Sequence, residues 1–168
     1  MPCSYLDELS MFRGFTPQEC EQLRPLFATL EAAEGLTLFE QGSPAEYLYL
    51  LAEGEVHVRF KPDDAPVITV AKVRPEGVVG WSAALGSPHY TSSAVCVLDS
   101  RLLKVRGEDL RILCDQYPEI GAQVLDRLAA VIAKRLRSTH SHVVALLRRG
   151  LGAGLAASSV EAIKTRGG

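Results

Sequence analysis

The chain has 168 residues, of which 47% are hydrophobic and 23% are charged, and its formal net charge is −2 at pH 7. This length and composition predict one globular domain with a real core. The small net charge gives no overall electrostatic reason to bind nucleic acid or anionic lipid. The longest apolar stretches are far shorter than the roughly 20 residues that cross a bilayer. We therefore expect a cytoplasmic protein with no membrane partner and with its four cysteines reduced.

The first predicted element is a short amphipathic helix. Thr16-Pro17-Gln18-Glu19 has the spacing of a capping box with proline at the first helical position. Apolar residues then recur at helical intervals as far as Leu30. We expect this helix to begin at Pro17 and to include those residues.

From Gly35 onward the hydrophobic period becomes that of β-strands. Glycine-containing turn segments, Gln41–Pro44 and Glu53-Gly54, separate the first of them. Many short strands, with no repeating βα unit, favour a sandwich or roll over a parallel doubly wound sheet. The predicted strands are Leu36–Phe39, Tyr47–Leu51, Val56–Phe60, Val67–Val73, Ala94–Leu98 and Leu102–Val105.

The last third of the chain is predicted to be a long helix from about Ile120 to Arg149. Its apolar positions recur at threes and fours, and basic residues fill other faces. A helix of this length usually outgrows a small domain and packs on its copy in a homodimer; the alternative is a surface helix folded back on the roll. Residues 150–168 are rich in glycine and alanine, so we expect a domain over 1–149 and a flexible tail over 150–168.

Two stretches, Met11–Glu19 and Leu38–Val56, closely resemble the cyclic nucleotide-binding domain of catabolite activators, kinase regulatory subunits and nucleotide-gated channels. The resemblance covers approximately residues 5–149. It implies a mainly β fold with flanking helices: an antiparallel double-stranded β-helix, or jelly-roll-like β-roll, with an N-terminal helix, a short cassette helix and a long C-terminal dimerisation helix. It also implies cyclic AMP or cyclic GMP as the ligand and signal transduction as the role.

The family's phosphate-binding cassette corresponds to residues 79–94. A buried phosphodiester needs backbone N–H groups and a charged partner in place of water. The family has an acid after the cassette glycine and an arginine two residues before the matched alanine, where this chain has Trp81 and Ser92. Loss of the arginine alone predicts cyclic nucleotide binding weaker by about one to two orders of magnitude. The candidate ligand-binding residues here are Val79, Gly80, Trp81, Ser82, Leu85, Thr91, Ser92, Ser93 and Ala94.

Two parts of the cassette have alternative interpretations. The hydroxyls and amides of Thr91–Ser93 either replace the missing donors or form a polar surface loop. Trp81 either stacks on a ligand or fills an apolar hole, and we favour packing because large aromatics usually serve it.

The long helix supplies two further candidates. Arg135-Leu136-Arg137-Ser138-Thr139 matches the order in catabolite-activator-like proteins, in which a threonine faces the purine. Thr139 therefore either contacts a base across the dimer or specifies helix register. Arg135 either assists the ligand or is a solvated helix residue, which is the commoner case.

The sequence predicts no catalytic residue and no metal site, because no nucleophile, acid–base or metal-ligand spacing is visible. We therefore expect a non-enzymatic regulatory sensor that requires no cofactor, forms a homodimer and signals to a protein effector. The alternative is a degenerate domain that has lost its ligand and serves as an interaction scaffold. The nineteen residues of 150–168, with five glycines, are too few for a helix-turn-helix, so we expect no specific DNA binding.

Overall fold

The computed structural model describes residues 5–166, without the side chains of 138, 139, 142, 143, 146 and 152–166. These residues form eight strands and three α-helices, divided between two compact units, 1–132 and 133–168. The strands are β1 (Phe27–Ala32), β2 (Thr37–Phe39), β3 (Tyr47–Glu53), β4 (Val56–Phe60), β5 (Ile68–Val73), β6 (Val78–Val79), β7 (Ser93–Cys96) and β8 (Ser100–Arg106). The α-helices are α1 (Pro17–Leu23), α2 (Gly107–Gln116) and α3 (Pro118–Arg166), and short 3₁₀ turns span Ser10–Phe12 and Arg24–Leu26.

The strands form two antiparallel four-stranded sheets. The first has the order β1-β8-β3-β6 and the second has the order β2-β7-β4-β5. Apart from β4 and β5, which pair with each other in the second sheet, consecutive strands lie in different sheets, so the chain winds around a shared interior as a jelly-roll does. The mainly β fold with flanking helices that the sequence predicts is confirmed. The six predicted strands correspond, with shifted ends, to β2, β3, β4, β5, β7 and β8.

Strand β3 of the first sheet is buried on both faces, and successive side chains of a strand point in opposite directions. Leu48 and Leu50 of β3 join a cluster that includes helical residues such as Leu110 and Val124. Leu51 of β3 joins a second cluster inside the roll. We call these the helix-side cluster and the roll cluster. Because the two clusters lie on opposite faces of the strand, the alternating pattern decides which residues face the interior of the roll.

The N-terminal region confirms the capping box and corrects the extent of the first helix. The Thr16 hydroxyl accepts from the amide of Glu19 at 3.2 Å, and the Glu19 carboxylate accepts from the amide of Thr16 at 2.8 Å. However, α1 ends at Leu23, and the residues to Leu30 that the sequence pattern places in the helix lie in a 3₁₀ turn and in β1. Pro25 explains the early end, since proline lacks the amide hydrogen that would continue the α-helical hydrogen bonds.

The C-terminal helix extends further than the sequence suggests. The backbone of α3 is helical from Pro118 to Arg166, past the helix end near Arg149 that we expect from the glycines. The division of the chain into a domain over 1–149 and a tail stays a prediction. Among the described residues, no helix combines the length and the apolar character that a bilayer requires.

One cysteine departs from the expectation of reduced thiols. Cys20 of α1 is disulfide-bonded, whereas Cys96 and Cys114 are free. Cys3 lies outside the described residues. Disulfide formation depends on how close two side chains come in space, which the spacing of cysteines along this chain does not reveal.

Candidate functional site

The cassette begins at a left-handed glycine. Gly80 directly follows the buried strand β6 and has a φ of +79°. A Cβ atom at this position would lie 2.7 Å from the Tyr47 carbonyl oxygen and 3.2 Å from the Phe39 ring. Both the backbone angle and the close packing therefore require glycine here.

After Gly80 the chain makes consecutive turns through Gly86 and not a regular α-helix. The amide of Ala83 donates to the Gly80 carbonyl at 3.1 Å, and the amide of Leu85 donates to the Trp81 carbonyl at 3.1 Å. Leu85 is 73% exposed. The predicted cassette helix is thus reduced to tight turns that leave a large apolar side chain in solvent.

The hydroxyl-rich loop is held by backbone pairing to the turn between β2 and β3. The amide of Tyr90 donates to the Ser43 carbonyl at 2.9 Å, and the amide of Gly42 donates to the Tyr90 carbonyl at 2.8 Å. At the first residue of β7, the Ser93 hydroxyl accepts from the Gln41 amide at 2.9 Å. The loop is therefore hydrogen-bonded to the turn between β2 and β3 at both of its ends, at Tyr90 and at Ser93.

Tyr90 fills the interior of the roll beside Gly80. Its ring stacks on Phe39 with centroids 3.8 Å apart and planes 15° apart, and the side chain is buried. Its hydroxyl donates to the Tyr47 carbonyl at 2.6 Å and accepts from the Tyr47 amide at 3.0 Å. Burial is the main cause that raises the pKa of Tyr90, so the phenol stays protonated at neutral pH.

The buried cassette residues divide between the two clusters. Val79 and Ala94 belong to the roll cluster, where Val79 pairs with Tyr49 and Ala94 pairs with Val58. Trp81 packs against the helix-side cluster instead. Trp81 therefore contributes to packing there, and its role towards a ligand stays a prediction.

Around the expected phosphate position, the structure presents hydroxyls and amides. Ser82, Ser92 and Ser93 are partly buried, whereas Thr91 is exposed. The Ser82 carbonyl accepts from the amide of Ser87 at 3.0 Å. Each of these groups is neutral, so none of them replaces the positive charge of the family's arginine in this part of the site.

The cassette also contacts α2. A Cβ atom at Gly107 would overlap the Ala83 carbonyl oxygen, and Arg111 donates to the same oxygen at 3.4 Å. The amide of Gly107 donates to the Glu46 carbonyl at 3.0 Å. The start of α2 is therefore packed tightly against the turns that follow Gly80.

Arg135 and Thr139 belong to the second compact unit, whereas the other predicted site residues belong to the first. Arg135 is partly buried, and this burial lowers the pKa of its guanidinium below the usual value. The side chain of Thr139 lies outside the described residues. Roles for both residues stay predictions.

Sequence reasoning missed the aromatic group inside the roll. Phe39, Tyr47, Tyr49 and Tyr90 form a continuous series of ring contacts with centroid separations of 3.8 to 6.4 Å. The alternation of Tyr47 and Tyr49 along β3 was a usable signal for two of them, because residues two apart share a face. No comparable signal marks Tyr90, which comes from a loop.

Comparisons with known proteins agree with this architecture. The family model described as the cyclic nucleotide-binding domain matches residues 29–117. The "Cyclic AMP receptor protein" of Thermus thermophilus is 30% identical over 76% of this chain and 57% of its own length. The "CRP-like cAMP-activated global transcriptional regulator" of Mycobacterium tuberculosis is 25% identical over 84% of this chain and 62% of its own length.

A solved structure supports the same fold. A cyclic nucleotide-binding domain from Methylobacillus flagellatus has a TM-score of 0.76 at 24% identity, covering 84% of both chains. The present chain spans about three fifths of the two curated relatives, 57% and 62%. Because the family model matches more than half of the sequence, the chain belongs to the cyclic nucleotide-binding domain family.

Proposed function

We propose that this chain is a non-catalytic regulatory module that binds a cyclic nucleotide, cyclic AMP or cyclic GMP, or a related small anionic ligand inside the roll. Ligand occupancy would then shift the geometry of a dimer formed through α3, and a protein effector would read the change. The module needs no further cofactor. The names of its relatives, a cyclic AMP receptor protein and a cAMP-activated regulator, support cyclic AMP as the first ligand to test.

The observation that carries the proposal is the fixed loop beside Gly80. The Ser93 hydroxyl is oriented by the Gln41 amide, and the adjacent main chain is paired with the turn at Ser43. A preorganised set of hydroxyls and amides binds an anion with a smaller ordering cost than a mobile loop would. This arrangement supports ligand binding despite the absence of the family's arginine.

The Ala83 carbonyl connects the cassette turns to α2, and we propose that this contact transmits ligand binding. Because Gly107 and Arg111 of α2 both approach this carbonyl, a displacement of the cassette turns must also move the start of α2. Interior packing does not absorb such displacements continuously. The contact therefore supports coupling between the ligand loop and the helices that follow it.

The proposed homodimer rests on exposed apolar residues of α3. Leu136, Leu147 and Leu151 are 50 to 67% exposed and follow one another at 11 and 4 residues. These spacings keep the three side chains on one side of a helix. A second copy of α3 would cover them, and sedimentation equilibrium would then give twice the 18.2 kDa mass of the chain.

The binding experiment is calorimetric titration of the full chain with cyclic AMP and with cyclic GMP, compared with Ser93→Ala. Loss of one neutral hydrogen bond should weaken binding about fivefold to tenfold. Ser141→Ala, which changes an exposed serine of α3, serves as the matched control and should bind like the native chain. Equal affinities of the native chain and both variants would show that the Ser93 hydroxyl does not contact the ligand and would contradict binding at the cassette.

A second function, a ligand-free interaction scaffold, is favoured by Tyr90. Its ring already occupies the interior beside Gly80 and stacks on Phe39, and its hydroxyl donates to the Tyr47 carbonyl. A folded dimer that binds neither cyclic nucleotide would support this alternative. Under either proposal we expect the protein to act in the cytoplasm, and measurement of its distribution in fractionated cells tests that expectation.

A further inference from the structure

The inner face of the first sheet contains two cations where the pattern predicts apolar residues. Leu102 of β8 is fully buried in the roll cluster, and alternation places Lys104 and Arg106 on the same face. Lys104 is partly buried, and Arg106 is half exposed. A departure from the alternating pattern of this kind commonly marks a functional position.

Both cations lie close to the same aromatic ring. Lys104 Nζ lies 5.0 Å from the centroid of the Tyr47 ring, and the Arg106 guanidinium carbon lies 6.0 Å from it. Pairing in the sheet places Tyr47 across from Arg106 and Tyr49 across from Lys104. The negative face of the ring attracts both cations, although they also repel each other.

Few acidic groups neutralise this pair. Within the part of the chain that the structure describes, Lys104 has no carboxylate partner, and Arg106 reaches only the Glu108 carboxylate at 4.0 Å. Glu46, next to Tyr47 in the sequence, is exposed. A partly buried cation without a counter-ion is unfavourable, so an external anion would stabilise the site.

The neighbouring strand leaves room for such an anion. Ala28 of the edge strand β1 lies across from Lys104, and it is exposed. Its small side chain leaves this flank of the lysine uncovered. Residues two apart on a strand are separated by about 7 Å, a distance that a tetrahedral oxyanion bridges with two charge-assisted hydrogen bonds of about 2.8 Å.

We propose that Lys104 and Arg106, flanking the Tyr47 ring, form a binding site for a phosphate-type oxyanion on the inner face of the first sheet. The site uses no residue of the cassette between Val79 and Ala94, so it is separate from the proposed cyclic nucleotide contacts. Its ligand is a phosphate group, either free or carried by a nucleotide.

The experiment is a nuclear magnetic resonance titration of the full chain with inorganic phosphate at constant ionic strength, repeated with cyclic AMP. We expect saturating shifts of the amides of Tyr47, Lys104 and Arg106 with phosphate alone. Lys104→Gln and Arg106→Gln should each weaken binding about tenfold or more, because each removes a charged donor. Glu108→Gln should strengthen it, since it removes the competing carboxylate.

Lys72→Gln is the matched control, because it removes an exposed lysine from β5 in the second sheet. The control should leave the phosphate affinity unchanged, and Ser93→Ala should do the same if the site is separate from the cassette. Shifts that do not saturate, or an equal loss in the Lys72 and Lys104 variants, would overturn the proposal by showing only nonspecific attraction. Shifts seen with cyclic AMP but not with phosphate would also overturn it and would assign the response to the cassette.

Discussion

The Tyr90 hydroxyl bonds to both backbone groups of Tyr47: it donates to the carbonyl at 2.6 Å and accepts from the amide at 3.0 Å. Tyr90 directly precedes the hydroxyl-rich loop Thr91–Ser93, and Tyr47 begins β3 of the first sheet. This pair therefore connects the loop to the framework of the roll. The position of the neighbouring hydroxyls depends on a phenol that the family resemblance does not identify.

Replacement of Tyr90 by phenylalanine isolates this connection. The variant Tyr90→Phe keeps the ring that stacks on Phe39 but leaves two backbone groups of Tyr47 without their partner. We expect the free energy of unfolding to fall by about 1–3 kcal/mol in urea denaturation. Tyr117→Phe, at a 40% exposed position, should change it little. Equal stabilities of the two variants would show that the hydroxyl contributes nothing.

Gly80 and Gly42 provide a matched pair for the close packing at the cassette. Both have a positive φ, +79° and +86°, but a Cβ atom meets the Tyr47 carbonyl at Gly80 and nothing within 4 Å at Gly42. Gly42→Ala should cost about 1–2 kcal/mol of stability for the backbone conformation alone. Gly80→Ala should cost clearly more, and it should also displace the amide resonances of Trp81 and Ser82. A similar cost for both would exclude packing as the reason for glycine at position 80.

The contact between α2 and the cassette is tested by Gly107→Ala. Alanine normally favours a helix by about 1 kcal/mol over glycine, but its Cβ here would overlap the Ala83 carbonyl. We expect lower stability and faster hydrogen exchange of the amides of Ala83 and Ala84. Gly150→Ala, where a Cβ meets nothing within 4 Å, should be neutral or stabilising. A stabilised Gly107 variant would contradict the proposed coupling at this point.

The buried tyrosines predict a loss of stability in alkali. Burial, followed by the nearby Tyr90 and Tyr47, raises the pKa of Tyr49 from 10.0 to about 12. Because the folded pKa is the higher one, the unfolded state loses its proton first, and stability falls as pH rises from about 10 to 12. The free energy of unfolding measured across this range should decrease in the native chain and decrease less in Tyr49→Phe. A flat profile would show that Tyr49 is accessible to solvent.

The sequence was sufficient for the elements whose pattern is local. The capping box at Thr16 and the alternation of Val56, His57 and Val58 both predict what the structure contains. Strand β1 was missed because Leu26, Phe27 and Leu30 also fit a helical period, and tertiary pairing with β8 decided the outcome. Strand β6 has only two residues, which is too short for periodicity to reveal.

The site was less predictable than the fold. The family resemblance identified Gly80 and Ser93 as candidates, because they lie within a recognisable segment, and their role in binding stays a prediction. It did not locate Tyr90 inside the roll, since that contact joins residues 43 positions apart and depends on how the loop folds. It also did not locate the cations beside Tyr47, whose arrangement requires the register between β3 and β8.

The most direct test of ligand sensing is thermal unfolding of the full chain with and without millimolar cyclic AMP or cyclic GMP. A ligand at one hundred times its dissociation constant adds about 2.7 kcal/mol, which should raise the midpoint by about 5 °C or more in a chain of this size. Adenosine and guanosine, which lack the phosphate, should give no comparable rise. A folded dimer whose midpoint is unchanged by either cyclic nucleotide would contradict the sensor proposal and would favour the scaffold.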